Sequence, residues 1–273
     1  MSIIKFEHVK KEYRMGELVS PLVDINLSVN SGDFIAVEGP SGIGKSTLLY
    51  VMGTLLKNDE GSIIIDGTDV SSLSDDAKSE LRAEKIGFIF QDSNLVQALT
   101  LRENLEFAAK LSKSPDSRSI DELLERFGLA DRANFLPHQL SGGQRRRAVA
   151  ARSLIHNPML ILADEPTNDL DEHWADEIIK VFKEEAARGA AICPSFPKSA
   201  ARPRGMRLPE AAACMEPREG TSFLCHSKES IGSSVVHSNV TLDLRIKLRA
   251  VISACANFSL HKFQTSSAVS PFK

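Results

Sequence analysis

Short β-branched apolar runs recur along the first two thirds of the chain and alternate with stretches of helical spacing. The runs IIKF and LVDINLSV near the start, FIAVEG at 34–39, SIIIDG at 62–67, IGFIF at 86–90 and MLILAD at 159–164 predict strands. Between them a 3.6-residue period predicts helices over 45–55, 100–112, 119–128, 142–156 and 171–188, the last stopped by Gly189. Strands alternating with helices imply a mixed α/β fold. No internal repeat is present.

The pattern fails after Ile192. The run CPSFPKSAARPRGMRLPE carries Pro194, Pro197, Pro203 and Pro209, a spacing at which neither a helix nor a central strand is expected. Further on, TLDLRIKLRAVI at 241–252 alternates like a strand with one buried face. Composition breaks at the same point: Cys193, Cys214, Cys225 and Cys255, all four cysteines, lie beyond residue 192. Residues 193–273 hold 11 Lys and Arg against 5 Asp and Glu, which leaves 22 against 31 for residues 1–192. The two segments therefore have opposite net charge. Their simplest reading is a catalytic domain over 1–192 and, over 193–273, a poorly ordered tail from a shifted reading frame or unrelated sequence. A divergent regulatory extension is the rival. The cysteine spacing suits neither a zinc site nor, in a cytosolic protein, a disulfide framework.

For the whole chain, 42% hydrophobic and 25% charged residues indicate a globular domain. A formal net charge of −3 gives no basic field to recommend nucleic acid as a partner. The start MSIIKFEHVKKEYR carries charges where a signal peptide needs an apolar stretch, and no run approaches the roughly 18 apolar residues of a spanning helix. A cytoplasmic protein is expected.

The chemistry begins where FIAVEG meets GPSGIGKS, a complete Walker A pattern between a strand and a helix. Its ATP-binding residues are Gly39, Pro40, Ser41, Gly42, Ile43, Gly44, Lys45, Ser46 and Thr47. Glycines let the backbone curl so that successive N–H groups and a helix N-terminus face the same phosphates. Lys45 supplies charge for the β- and γ-phosphates, and Ser46 offers a hydroxyl to Mg²⁺. MLILADEPT ends a second apolar strand in Asp164 and Glu165. Such a pair lets Asp164 serve the metal while Glu165 acts as general base or orients the attacking water. On its own an acidic pair after a strand is more often a solvated turn. The phosphate loop reverses that weighting.

LSGGQRRRAVAARSL, with Leu140, Ser141, Gly142, Gly143 and Gln144 at its core, resembles the signature of the ABC ATPase family. Taken alone it reads as a serine-capped helix with arginines on its wet face. The resemblance implies a P-loop NTPase fold: a RecA-like core, an antiparallel β-subdomain and a helical subdomain over about 92–156, with an incomplete or atypical C-terminal part. It implies that Ser141 and Gly143 reach the ATP of a second subunit. It further implies that Tyr13 stacks on adenine, that Gln91 is the Q-loop glutamine near Mg²⁺ and the catalytic centre, and that Asp171 is the D-loop aspartate. The run SSLSDDAKSELRAEKIGFIFQDSNLVQALTLRENLEFA is similar to the branch with lipoprotein-release, macrolide-export and cell-division ATPases. That branch implies an ATPase that dimerises, as homodimer or pseudo-dimer, and powers a separate membrane permease from the inner face of the plasma membrane. A role on ribosomes or DNA fits poorly with an acidic core and a single set of motifs. The family also expects, after the helix ending near Gly189, an apolar strand finishing in a histidine that contacts the γ-phosphate. Neither strand nor histidine is expected here, and His226, His237 and His261 stand too far along to serve. An ATP-binding module with impaired hydrolysis is therefore the alternative.

Overall fold

The structure, a computed structural model, describes residues 1–112, 117–197, 212–214 and 224–226. In chain order the elements are β1 (Ser2–Met15), β2 (Glu17–Asn30), β3 (Ala36–Gly39), α1 (Lys45–Met52), β4 (Glu60–Ile65), β5 (Thr68–Asp69), α2 (Asp75–Lys85) and β6 (Ile86–Ile89). There follow α3 (Leu101–Ser112), α4 (Ile120–Arg126), α5 (Gly142–Leu154), β7 (Leu160–Asp164), α6 (Glu172–Ala187), β8 (Ala191–Pro197), β9 (Ala212–Cys214) and β10 (Leu224–His226). A four-stranded antiparallel sheet has the order β2-β1-β4-β5, and a six-stranded sheet the order β10-β9-β3-β8-β7-β6. The second is parallel at every pairing except β9 with β10.

A parallel sheet must bury both faces, so its strands read as continuous apolar runs. The two-residue period of β7 and β8 divides the core accordingly. Leu160, Leu162, Ala191 and Cys193 pack toward a cluster with Leu49 and Met52 of α1 and the inner face of the antiparallel sheet. Ile161, Ala163, Ile192 and Phe196 pack into the other cluster, with Val149 of α5 and Phe182 of α6. Helix α6 begins at the Asp171 cap, whose carboxylate accepts from Trp174 N at 2.9 Å, and buries Ala175, Ile178, Ile179 and Phe182 at helical spacing.

The proline-rich run after Ile192 does form a central strand, against the expectation. β8 lies between β3 and β7 and its residues are buried from Ala191 to Phe196. The physical reason lies in the alternation of ladder hydrogen bonds. Ile192 N donates to the Asp33 carbonyl and Ile192 O accepts from Ile35 N, so even-numbered residues bond toward β3. The donor that Pro194 lacks therefore falls on the β3 side only. There the ladder breaks between the Phe34–Ile192 bridge and the Val37–Ser195 pair, while the ladder to β7 runs unbroken from Ala191 to Ser195. One proline thus removes one rung. The sheet continues five residues past the boundary expected at 192, and β9 and β10 extend it beyond β3. The strand expected over 241–252 and the bulk of the tail lie outside the described residues.

The stretch 92–156 contains α3, α4 and α5. It is tied to α6 by a bidentate pair in which Arg118 donates to both Glu185 oxygens at 2.8 and 2.5 Å, and by Arg126 with Glu184. Glu185 is nearly fully buried and also receives Arg188 at 2.8 Å, so its charge is compensated twice.

Candidate functional site

The topology decides what meets what. Because β3, β8, β7 and β6 are parallel neighbours, the residues that follow each leave the sheet along one edge. Gly39 and the residues of the Walker A pattern leave β3, Asp164 ends β7 with Glu165 just beyond it, and Phe196 and Pro197 end β8. Gln91 is exposed, two residues beyond the end of β6 rather than at its last position. Ligands of open α/β sheets bind outside this carboxyl edge.

Residues 40–44 turn from β3 into α1. Gly44 precedes α1 at φ 111°, and a Cβ there would stand 3.0 Å from Pro21 Cβ and O, so glycine is required on both counts. No side chain caps α1. Its first N–H groups are left for an anion, with the positive end of the helix dipole behind them. Lys45 is 5% exposed, and its Nζ donates to the carbonyls of Gly39 (2.9 Å) and Pro40 (3.0 Å). The ammonium is thereby held across the turn between β3 and α1. Ser41 and Gly42 are exposed, Pro40, Ser46 and Thr47 half-buried, and Ile43 packs on the cluster shared with α1.

Asp164 is 1% exposed; its Oδ1 accepts from Ser195 Oγ at 2.7 Å, and its Oδ2 has no hydrogen-bond partner among the described residues. Glu165 sits at φ 49°, in the left-handed region that a side chain rarely adopts. Its N donates to the same Ser195 Oγ at 3.1 Å, and its Oε2 accepts from Asn168 Nδ2 at 2.5 Å. A buried, orphaned carboxylate oxygen is the donor type that a hard cation takes, so the residues present fit Mg²⁺.

Leu140 is buried ahead of α5, and Ser141 and Gly142 are exposed. Ser141 forms a capping box with Gln144: its Oγ accepts from Gln144 N at 3.2 Å while its N donates to Gln144 Oε1 at 2.8 Å. Gly143 lies against the turn after β7, where a Cβ would meet the Asp169 carbonyl at 3.1 Å. That contact joins the signature to the segment ending in Asp171, the cap of α6. Tyr13 is half-buried on β1, opposite Val19, with Lys11 Nζ 5.5 Å from its ring centroid.

Three contributors escape sequence reasoning. Arg146 sits in a run of arginines that reads as a wet helix face, yet it is 6% exposed. It donates to Phe90 O at 2.7 Å and Asn168 O at 3.3 Å, and its guanidinium lies 3.7 Å from the Asp169 carboxylate. Burial lowers its pKa, with Asp169 pulling the other way. It ties the Gln91 segment to the Asn168 segment, and Asn168 in turn holds Glu165. Ser195 lies in sequence that offers no motif at all. Of the downstream histidines, His226 ends β10, while His237 and His261 lie outside the described residues.

The family model described as "ABC transporter" matches residues 22–168, from β2 to just past Glu165. The chain is 41% identical over 194 residues to MJ0796, an uncharacterized ABC transporter ATP-binding protein of Methanocaldococcus jannaschii, covering 66% of this chain and 80% of that one. It is 40% identical over 196 residues to the macrolide export ATP-binding/permease protein MacB of Aggregatibacter actinomycetemcomitans, covering 70% of this chain but only 30% of MacB. Among solved structures, the dimeric post-hydrolysis state of the MJ0796 cassette bound to ADP and Pi superposes with a TM-score of 0.70 at 34% identity, over 77% of this chain and 93% of that one. By the family match over 22–168, the identity to these relatives and the shared fold, the chain belongs to the ATP-binding ATPases of the ABC transporter family.

Proposed function

We propose that this chain is the ATP-hydrolysing subunit of an ABC transporter, which closes as a head-to-tail homodimer or pseudo-dimer around two ATP molecules and drives a separate membrane permease. The observation that carries it is the uncapped start of α1, with Lys45 and the two acids along one sheet edge. Lys45 exchanges the carbonyls of Gly39 and Pro40 for the β- and γ-phosphates, and the N–H groups of residues 41–47 cradle them. Tyr13 stacks on adenine. Glu165 exchanges Asn168 for the attacking water, orienting it and taking its proton. Ser46, Gln91 and Asp164 would hold Mg²⁺, which neutralises charge on the transferring phosphoryl group. Exposed Ser141, with Gly143, donates to the γ-phosphate held by the partner subunit, and Asp171 lies along the closing face. The dimeric MJ0796 structures and the joining of ATP-binding and permease functions in MacB support this assembly. None of the described helices is long and apolar enough to cross a membrane; the permease is taken as a separate subunit because residues 71–108 resemble the branch that works with one. It grips the 92–156 subdomain, where Phe107 and Leu111 of α3 are exposed, and holds this subunit at the inner face of the plasma membrane.

One observation favours a second reading, ATP-driven closure with impaired hydrolysis. β8 finishes on Phe196, 3% exposed in the core, and Pro197, neither of them the histidine in which the family resemblance expects this strand to end. Phosphate release at saturating Mg-ATP separates the two, with Lys45→Ala as control. Multiple turnovers in the parent and none in the variant are expected; binding without turnover selects the second reading, and absence of Lys45-dependent binding overturns both.

A further inference from the structure

Ser195 is completely buried, on a strand that lies beyond the segment matched by the family model. It is paired with Asp164 of β7 on one side and Val37 of β3 on the other. A hydroxyl has one proton and two acceptor lone pairs. Glu165 N is a donor, so it must occupy a lone pair, and the single proton is free to point at Asp164 Oδ1, 2.7 Å away. The hydroxyl thus bonds both acids of the pair at once.

We infer that Ser195 is a positioning residue for the phosphate-transfer site, fixing Asp164 and Glu165 in the geometry that receives Mg²⁺ and water. This rests on the roles proposed above for the two acids. By engaging Oδ1, the hydroxyl leaves Oδ2 as the single free acceptor of Asp164 among the described residues and sets the rotation of the carboxylate. By accepting from Glu165 N it satisfies a main-chain donor turned inward by the left-handed backbone of that residue. Such a conformation persists only where surrounding bonds over-determine it. Its other tether, Asn168, acts on the side chain and must let go when water binds; the Ser195 bond acts on the backbone and can persist throughout. Removal of an outer partner of a metal-ligating carboxylate reduces metal affinity or activity about ten- to a hundredfold.

The test compares Ser195→Ala, Ser195→Thr and Ser195→Val in the full chain. Thr and Val have the same shape, so their difference reports the hydroxyl alone and keeps the test decisive if Ser195→Ala unfolds. Nucleotide binding is titrated with Mg²⁺ at fixed ATP by calorimetry, and kcat and KM are measured where turnover is detected. Ser195→Val should require about tenfold more Mg²⁺ than Ser195→Thr for half-maximal effect, with kcat lowered and KM for ATP within twofold. Equal Mg²⁺ dependence of Thr and Val overturns the role of Ser195, provided Lys45→Ala still abolishes binding. If Lys45→Ala binds as the parent does, the underlying site assignment fails instead.

Discussion

A guanidinium in the core must justify its desolvation with well-aligned partners, and Arg146 does so with two main-chain carbonyls and a carboxylate. Truncation would strip donors from Phe90 O and Asn168 O together. Arg146→Ala should lower stability by about 2–3 kcal/mol in urea denaturation. Arg146→Lys should recover less than half of that, because one ammonium cannot reproduce the planar fork; full recovery would show that charge alone matters. His156 is the pH-sensitive residue of the core. Burial lowers its pKa, a hydrogen bond to the Ile86 main chain raises it, and Arg118 lowers it again. The folded state thus binds its proton less readily than the unfolded chain. Stability is undiminished by this group above the ordinary histidine value of about 6.5 and falls as pH drops below it. Denaturation midpoints of the parent should decline faster than those of His156→Gln between about pH 6.5 and 5; parallel curves would assign the slope to other groups. These residues could not be found from sequence, because neither has a pattern of its own. The Walker A run and the acidic pair were legible because their residues are contiguous and their chemistry is local. Arg146 and Ser195 meet them only in space, and Asn168, three residues past Glu165, carries no motif of its own.

At the scale of elements, what the sequence shows depends on which force forms the element. Helix α6 announces itself by apolar period, since packing forms it. Helix α2 is overlooked by the same criterion because it buries no residue; it rests on the Ser74 cap, Asp75 and Asp76 in its first turn and Arg82 and Lys85 in its last. Strand β8 shows the opposite error, in which a correct local rule about proline was overruled by burial on both faces and an intact ladder to β7. The rule still has a consequence. Pro194→Val would restore a donor toward β3 and add β propensity, partly offset by the greater freedom of the unfolded chain. A net gain of about 1 kcal/mol is expected in chemical denaturation. A loss of that size would mean that the interrupted ladder at 192–195 is better served by proline than by a regular strand.

Across the molecule, one sheet edge gathers the phosphate loop, the acidic pair and the Gln91 segment, while the exposed signature serine opens a different helix, α5. In the proposed assembly two helix starts receive phosphates, α1 without a side-chain cap and α5 closed by its own capping box. Two copies arranged head to tail would bring the α5 start of each to the phosphates held by the other, and the Ser141–Gln144 box is what such an encounter would open. Glu165→Gln keeps the size of the side chain and removes the proposed base, so ATP should persist and the closed pair should accumulate. The most direct measurement is the mass of Glu165→Gln by light scattering in saturating Mg-ATP, beside the same sample in ADP. A mass of two chains with ATP and one with ADP is the predicted result; a single-chain mass in both nucleotides, with ATP shown to be bound, would contradict the account.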